Sequence, residues 1–351
     1  MKESMQFRKM YAGKDDDLRR LDKVVRNILN RNSLSGIYQA LRKGLITVNG
    51  KKAAQDFRVK EGDCIAVAEI LFTADDARRP EATAYGSDHN TKTDVPAADS
   101  TMYGTHNAAR PALSADILIK TEDVLVINKP YDRTVQGKGS LAEQVAAAYV
   151  AGGSLSFTPG PLHRLDKKTT GTLLFSQSLN GARWVSRAFA DHLLGKTYIG
   201  IAQGTLRAPE HWTDDIIKSG SSKAAGFHTV ALNTGNGKAA LTDAYPLAYG
   251  AYGKMPVTLI EYAITTGRTH QIRSQTAAHG FPLLGDTAYG GMLVHEPQDL
   301  YLHALQITVP RDNPLGLPET IRAPILTNFQ KMLNKTLIQW DGLLYSTLRG
   351  T

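Results

Sequence analysis

His163-Arg164-Leu165-Asp166-Lys167-Lys168-Thr169-Thr170-Gly171-Thr172-Leu173-Leu174-Phe175 sets one carboxylate among four cationic or potentially cationic side chains and then turns apolar. The polar half reads as a loop and Leu173-Leu174-Phe175 as a strand, because a short unbroken apolar run suits a strand covered on both faces. Further strands are expected at Val124-Leu125-Val126-Ile127-Asn128, ended by Lys129-Pro130, at Tyr198-Ile199-Gly200-Ile201 and at Val257-Thr258-Leu259-Ile260. Trp184, Val185, Ala188, Phe189 and Leu193 give residues 180–194 a helical pattern, and Asn236-Gly237 is a two-residue hairpin signal. Strands interspersed with helices and hairpins predict an α+β fold built on a mainly antiparallel mixed sheet.

Three segments carry reactive groups. Cations close to Asp166 favour its ionised form, and such a carboxylate can serve as nucleophile or electrostatic stabiliser. A salt-bridged loop accounts for the same residues. Gly267-Arg268-Thr269-His270-Gln271-Ile272-Arg273 is a dense donor array, and the planar arginine fork suits phosphate and carboxylate oxygens. Read alone, it is equally a polar loop capping a helix. Lys196-Thr197-Tyr198 opens a strand, where a tyrosine ordinarily packs in the core. Gly235-Asn236-Gly237-Lys238 lacks the glycine spacing and the following Ser/Thr of a phosphate loop and reads as a hairpin. The chain contains no HExxH pair, no GxxxxGK[ST] loop and no strand-linked GxGxxG.

The 351 residues suggest about two domains, and 42% hydrophobic with 21% charged residues excludes collagen-like and wholly disordered chains. Cys64 is the only cysteine, so a disulfide framework, a cysteine-rich zinc site and a CxxC redox pair are excluded. No run approaches the ~20 apolar residues of a membrane span, and the first residues lack the apolar core of a secretory signal. A cytoplasmic, monomeric protein with no membrane association is expected.

The net charge is +8, of which residues 1–72 hold +6. Such a concentration suits a nucleic-acid-binding module, and equally a solvated basic face. Leu18, Leu21, Val25, Ile28 and Leu29 form one apolar stripe, with Arg19, Lys23 and Arg26 on another face. Ser33 or Ser35 caps a second helix, with Ile37, Leu41 and Tyr38 turned inward and Gly44 as its C-terminal cap after Arg42 and Lys43. Leu45-Ile46-Thr47-Val48 is a strand, Asn49-Gly50 a hairpin turn followed by Lys51 and Lys52, and Cys64-Ile65-Ala66-Val67 a further strand. Residues 73–111 contain no Leu, Ile or Phe, so residues 73–112 are expected to be a flexible linker.

Two resemblances follow. Arg20-Leu21-Asp22 and the stretch Arg42-Lys43-Gly44-Leu45-Ile46-Thr47-Val48-Asn49-Gly50-Lys51 resemble the S-four-like RNA-binding domain over residues 17–70. That resemblance implies a basic helix-pair surface for folded RNA, with Arg19, Lys23, Arg26, Arg42, Lys43 and Lys51 as candidate contacts. DVLVINKP, HRLDKKTTGTLLF, GKTYIGIAQG, TGRTHQIR, GFPLLGDTAYGG and the Leu302-His303-Ala304-Leu305 strand, in this order, resemble the RluA family of pseudouridine synthases over residues 114–310. The resemblance implies a pseudouridine-synthase catalytic domain at 113–351 behind an RNA-binding domain at 1–72. Members detach uracil from C1′ of a uridine in RNA, rotate it and rejoin it through C5, a reaction that needs no metal or cofactor. By the resemblance Asp166 drives the reaction and Tyr198 packs on the target base. Arg273 pairs with the aspartate, Arg164 fills the gap left by the flipped base, and Leu302-His303-Ala304 helps build the pocket. Arg268, His270 and Gln271 are candidate RNA or substrate contacts. Structured RNA, above all large-subunit ribosomal RNA, is the implied partner. Lys168, Thr170 and Thr172 depart from the family pattern and put supporting contacts in question. A non-catalytic RNA-binding or ribosome-assembly factor on the same scaffold is the alternative.

Overall fold

The computed structural model describes residues 5–72, 113–148, 154–222, 227–232 and 237–344. The expected linker at 73–112 and Asn236 of the expected hairpin lie outside them. The described residues group into two compact units.

The first unit holds residues 5–72 with 146–148, 154–159 and 178–180. Strand β1 (Phe7–Tyr11), helices α1 (Leu21–Ile28) and α2 (Leu34–Lys43), and strands β2 (Ile46–Val48) and β3 (Cys64–Ala68) follow in order. The strands form an antiparallel sheet in the order β1-β3-β2. Leu21, Val24, Val25, Ile28 and Leu29 pack with Ile37, Leu41, Ile46 and Ile65 in one core. Leu18 does not join the apolar stripe. It precedes the helix in a left-handed turn (φ +58°) and is 64% exposed. Ser33 is the α2 cap, its Oγ accepting from Gly36 N at 3.1 Å, and Gly44 ends the helix at φ +76°. Asn49 and Gly50 form the left-handed turn pair, but only the single bridge Val48–Lys51 follows. The strand partner of β2 is β3, so the sheet is not the simple hairpin the dipeptide suggests.

In the second unit the strands are β4 (Asp116–Lys120), β5 (Val124–Lys129), β6 (Gly160–Pro161), β7 (Thr170–Ser176), β8 (Gly195–Gln203), β9 (Glu210–Ser222), β10 (Phe227–Leu232), β11 (Lys238–Tyr252), β12 (Met255–Ile264), β13 (Leu302–Thr308) and β14 (Thr320–Arg322). The helices are α3 (Leu141–Ala148), whose last residues fall in the first unit, α4 (Leu179–Ala190), α5 (Gln271–Ala278) and α6 (Thr327–Lys335). One mixed sheet runs β10-β9-β11-β12-β8-β13-β7-β5-β4, with β14 beside β13 and β6 beside β7. Only the β7–β13 pair is parallel among the described pairs. The expected strands are present, and the expected helix is α4, which ends at Ala190 and leaves Leu193 beyond it, 54% exposed. The strands read as unbroken apolar runs because the sheet is covered twice. Val185 and Ala188 of α4 pack on Val124, Val126, Leu174 and Ile307. Phe329, Met332 and Leu333 of α6 pack with Ile199, Ile201, Val257 and Leu259.

Register brings the reactive segments together. Ala304 pairs with Gly171 on one side and Tyr198 on the other, while Ile264, at the end of β12, pairs with Lys196 at the start of β8. The loop before β7, the start of β8 and the loop after β12 therefore meet at one end of the sheet. The close β7–β13 approach requires a glycine. Gly171 has φ +110°, and a Cβ there would stand 2.2 Å from the Ala304 carbonyl oxygen.

Candidate active site

These segments line a cavity of about 540 Å³, within the range of ligand pockets. Arg164, Asp166, Lys196, Tyr198, Arg268, His270 and Leu302 are among its lining residues, and Asp166 is its only acidic one. The Asp166 side chain is 17% exposed. Arg273 Nη1 donates to its Oδ2 at 3.2 Å, and His270 Nε2 stands 3.6 Å from the same oxygen. Two motifs 107 residues apart thus meet at one carboxylate. Burial, outweighing the pull of the Asp166 charge, lowers the His270 pKa, which keeps its ring neutral at neutral pH.

Arg273 is itself held from behind. Its Nε and Nη2 donate to the two oxygens of buried Asp286 at 2.7 and 2.8 Å, and its guanidinium carbon lies 5.1 Å from the Tyr289 ring centre. Burial works against the guanidinium charge, but the bonds and charges of Asp286 and Asp166 prevail and raise its pKa. The Tyr289 hydroxyl is 2.8 Å from His270 Nδ1. Asp286 and Tyr289 both come from GFPLLGDTAYGG, a segment to which sequence reading assigned no individual role. A lone carboxylate in that motif was the available signal.

Tyr198 is 8% exposed and borders the cavity. Burial first, then the Asp166 charge, pushes its phenol far up, so it is an un-ionised hydroxyl at neutral pH. Buried Lys129 fixes the Asp166 loop from below, its Nζ donating to the carbonyls of Pro130, Lys167 and Thr169 at 3.0, 2.8 and 2.8 Å. Burial pushes its pKa down to about 7, against the opposing pull of Asp166. In the sequence Lys129 reads only as a strand end; a lysine closing an apolar run is the clue to its role.

The departures from the family pattern each find a partner. Lys168 Nζ pairs with Asp299 Oδ2 at 2.6 Å, and Asp299 also accepts from the Tyr131 hydroxyl. Thr170 Oγ1 bonds His303 Nδ1 at 2.7 Å, and Thr172 Oγ1 donates to the Leu305 carbonyl at 3.3 Å. Of Leu302-His303-Ala304, Leu302 lines the cavity, whereas His303 is fully buried beneath it, its Nε2 donating to the Ala323 carbonyl at 3.3 Å.

Two candidate contacts are engaged within the protein. Gln271 touches the cavity, but its amide is occupied within the protein. Its Oε1 accepts from Thr266 Oγ1 and Arg268 N, and its Nε2 donates to Leu241 O and Thr242 Oγ1. It shapes the 265–270 loop and has no free polar atom for RNA. Arg19 precedes α1 and is half-buried, its Nη1 donating to Ser156 Oγ at 2.7 Å within the first unit. Lys23, Arg26, Arg42, Lys43 and Lys51 are exposed, as an RNA-facing surface requires, and Arg164 and Arg268 are exposed at the cavity.

A single carboxylate, gripped by an arginine and walled by a neutral tyrosine at the end of a mixed sheet, defines an enzyme site. The family described as RNA pseudouridylate synthase matches residues 123–278, and an S4 domain matches residues 19–65. The chain is 31% identical over 293 residues to the ribosomal large subunit pseudouridine synthase C of Rickettsia typhi, covering 82% of this chain and 88% of that protein. It is 26% identical to the protein of the same name from Vibrio vulnificus, covering 91% and 94%. The solved structure of human RNA pseudouridylate synthase domain containing 1 shares the fold, with a TM-score of 0.54 at 23% identity over 68% of this chain and 96% of that one. The chain belongs to the RluA family of RNA pseudouridine synthases, with an S4 domain at its N-terminal end.

Proposed function

We propose that this protein converts uridine to pseudouridine in large-subunit ribosomal RNA, acting as a cytoplasmic monomer, with residues 1–72 holding folded RNA and residues 113–351 carrying the chemistry. The observation that carries the reading is the Arg273–Asp166 contact at the wall of a cavity in which, among the described residues, no second acidic side chain lies. The relatives' names point to large-subunit RNA, and the exposed cations of the S4 domain suit its phosphates.

The extruded base leaves its stack at a cost of a few kcal/mol. The C1′–N1 bond breaks, the uracil turns within the cavity, a C5–C1′ bond forms, the C5 proton leaves to solvent, and N1 takes up a proton, so that the product is an isomer of the substrate. Asp166 is the charged group beside that sequence. Arg273 orients it, Tyr198 presents a neutral ring to the base, and Arg164 occupies the gap in the RNA.

The test is Asp166→Ala. Conversion of uridine, read by mapping pseudouridine across ribosomal RNA, is expected to vanish while RNA affinity stays within a few-fold. A fully active variant refutes the assignment.

A further inference from the structure

Lys196 and Arg268 share the cavity with Asp166, and the roles above use neither as a charge. Three other cations near this site have acidic partners: Lys167 with Asp132 at 2.9 Å, Lys168 with Asp299, and Arg273 with Asp286 and Asp166; Arg164, on the same wall, is the arginine already assigned to the gap in the RNA. Among the described residues, no carboxylate lies within an ion-pairing 4 Å of Lys196 or Arg268. Lys196 Nζ makes a long 3.4 Å contact to the Thr266 carbonyl and stands 5.4 Å from the Phe189 ring centre. Burial and then the Arg268 charge hold its pKa below the ordinary lysine value, so two like charges face each other uncompensated. His163, on the same wall, adds no charge. His163 accepts from Leu174 N through Nε2 at 3.1 Å, and burial pushes it down to about 3.

The loop presenting Arg268 is built in advance. His192 Nδ1 donates to the Thr265 carbonyl at 3.1 Å, Thr266 Oγ1 and Arg268 N donate to Gln271 Oε1, and Arg268 Nε donates to the Ala239 carbonyl at 2.9 Å. Among the described residues, these bonds leave both terminal nitrogens of the guanidinium fork for an oxyanion. Gly267 leaves room beside the ammonium, since even a Cβ there would stand 3.1 Å from Lys196 Nζ.

We propose that Lys196 and Arg268 form an anion subsite that takes one phosphodiester of the RNA strand adjoining the uridine in the cavity. The inference rests on the pseudouridine-synthase reading. An anion between the two cations would relieve their repulsion, and a phosphodiester is the anionic group an RNA strand brings. The subsite would fix the extruded nucleotide by its backbone, leaving Asp166 free of that task.

The experiment follows tritium release from transcripts of the large-subunit ribosomal RNA labelled at C5 of uridine, across a salt series. Lys196→Gln is expected to lower kcat/KM about tenfold and to flatten the dependence of log kcat/KM on log salt by about 0.7–0.9, one phosphate contact. Lys196→Arg is expected to restore slope and rate, which a merely structural role would not require. Arg268→Gln, at an exposed position, provides a second variant with the same expected loss. A single methylphosphonate beside the modified uridine should then cost the wild-type protein as much as Lys196→Gln does, and cost that variant nothing further. A Lys196→Gln protein that keeps the wild-type salt slope, or a scan in which no neutral linkage couples to Lys196, overturns the subsite. A wild-type protein that releases no tritium overturns the synthase reading itself, and the subsite with it.

Discussion

At Arg273 one guanidinium serves two carboxylates, and its shape makes that possible. The Nε–Nη2 edge meets Asp286 in a bidentate pair while Nη1 remains for Asp166. A lysine keeps the charge but is a point donor that cannot hold both geometries. Arg273→Lys is therefore expected to lower kcat by roughly 10²–10³, the usual loss for one preorganised charged donor, as single-turnover conversion would show. Wild-type kcat in that variant would mean that the fork does not orient Asp166. Arg273→Ala leaves the Asp286 carboxylate buried and unpartnered, and is expected to cost about 3–5 kcal/mol in urea unfolding. The sequence exposed both ends of the Arg273–Asp166 contact because each lies in a dense polar motif. It hid Asp286, whose importance lies in a contact across the fold, and it misjudged Gln271, whose amide looks available until its four partners are seen.

At the scale of elements, the β7–β13 pair is the hinge of the construction. Gly171→Ala would drive a methyl into the Ala304 carbonyl at a left-handed backbone position. The expected loss is about 3 kcal/mol or more, read as a fall in the urea midpoint. His303, on β13, is buried between Thr170 and Ala323, and burial pushes its pKa from 6.5 down to about 4. The unfolded chain therefore binds a proton near pH 6.5 that the folded chain refuses until about pH 4, so stability is present above pH 6.5 and is lost as pH falls. Between about pH 7.5 and pH 5 the His303 share comes to about 2 kcal/mol. His303→Gln is expected to remove that share from the pH dependence of urea unfolding; an unchanged dependence would show that His303 is not held neutral. Strands were legible in the sequence because double coverage turns them into apolar runs. Strand β1 was not, since Phe7–Tyr11 carries two adjacent cations at its middle and sits at the sheet edge, and neither was the true partner of β2, which lies beyond the Asn49-Gly50 turn. Turn chemistry specifies a bend locally, whereas pairing depends on which strand completes the core.

For the whole molecule, chemistry and charge are divided between two parts of the chain. The cavity with its lone carboxylate lies wholly within the second unit, while most of the net positive charge lies in residues 1–72. The order of motifs made this division readable, since the charge excess and the RLD and GRTHQIR segments occupy separate stretches. If the excess grips RNA, neutralising it must change how binding responds to salt, because each phosphate contact releases counterions on association. Lys23, Arg26, Arg42, Lys43 and Lys51 are exposed and suitable for replacement together by glutamine. Arg42 and Lys43 also sit in the last turn of α2, where cations complement the helix dipole, so their loss costs up to about 1 kcal/mol each. The five-fold variant is expected to weaken affinity for ribosomal RNA and to reduce the slope of log affinity against log salt by about 4 if every cation meets a phosphate. Near-native unfolding behaviour with that reduced slope assigns the basic face to RNA. A wild-type slope would instead leave the RNA grip to the cations around the cavity and make the N-terminal excess a matter of solvation.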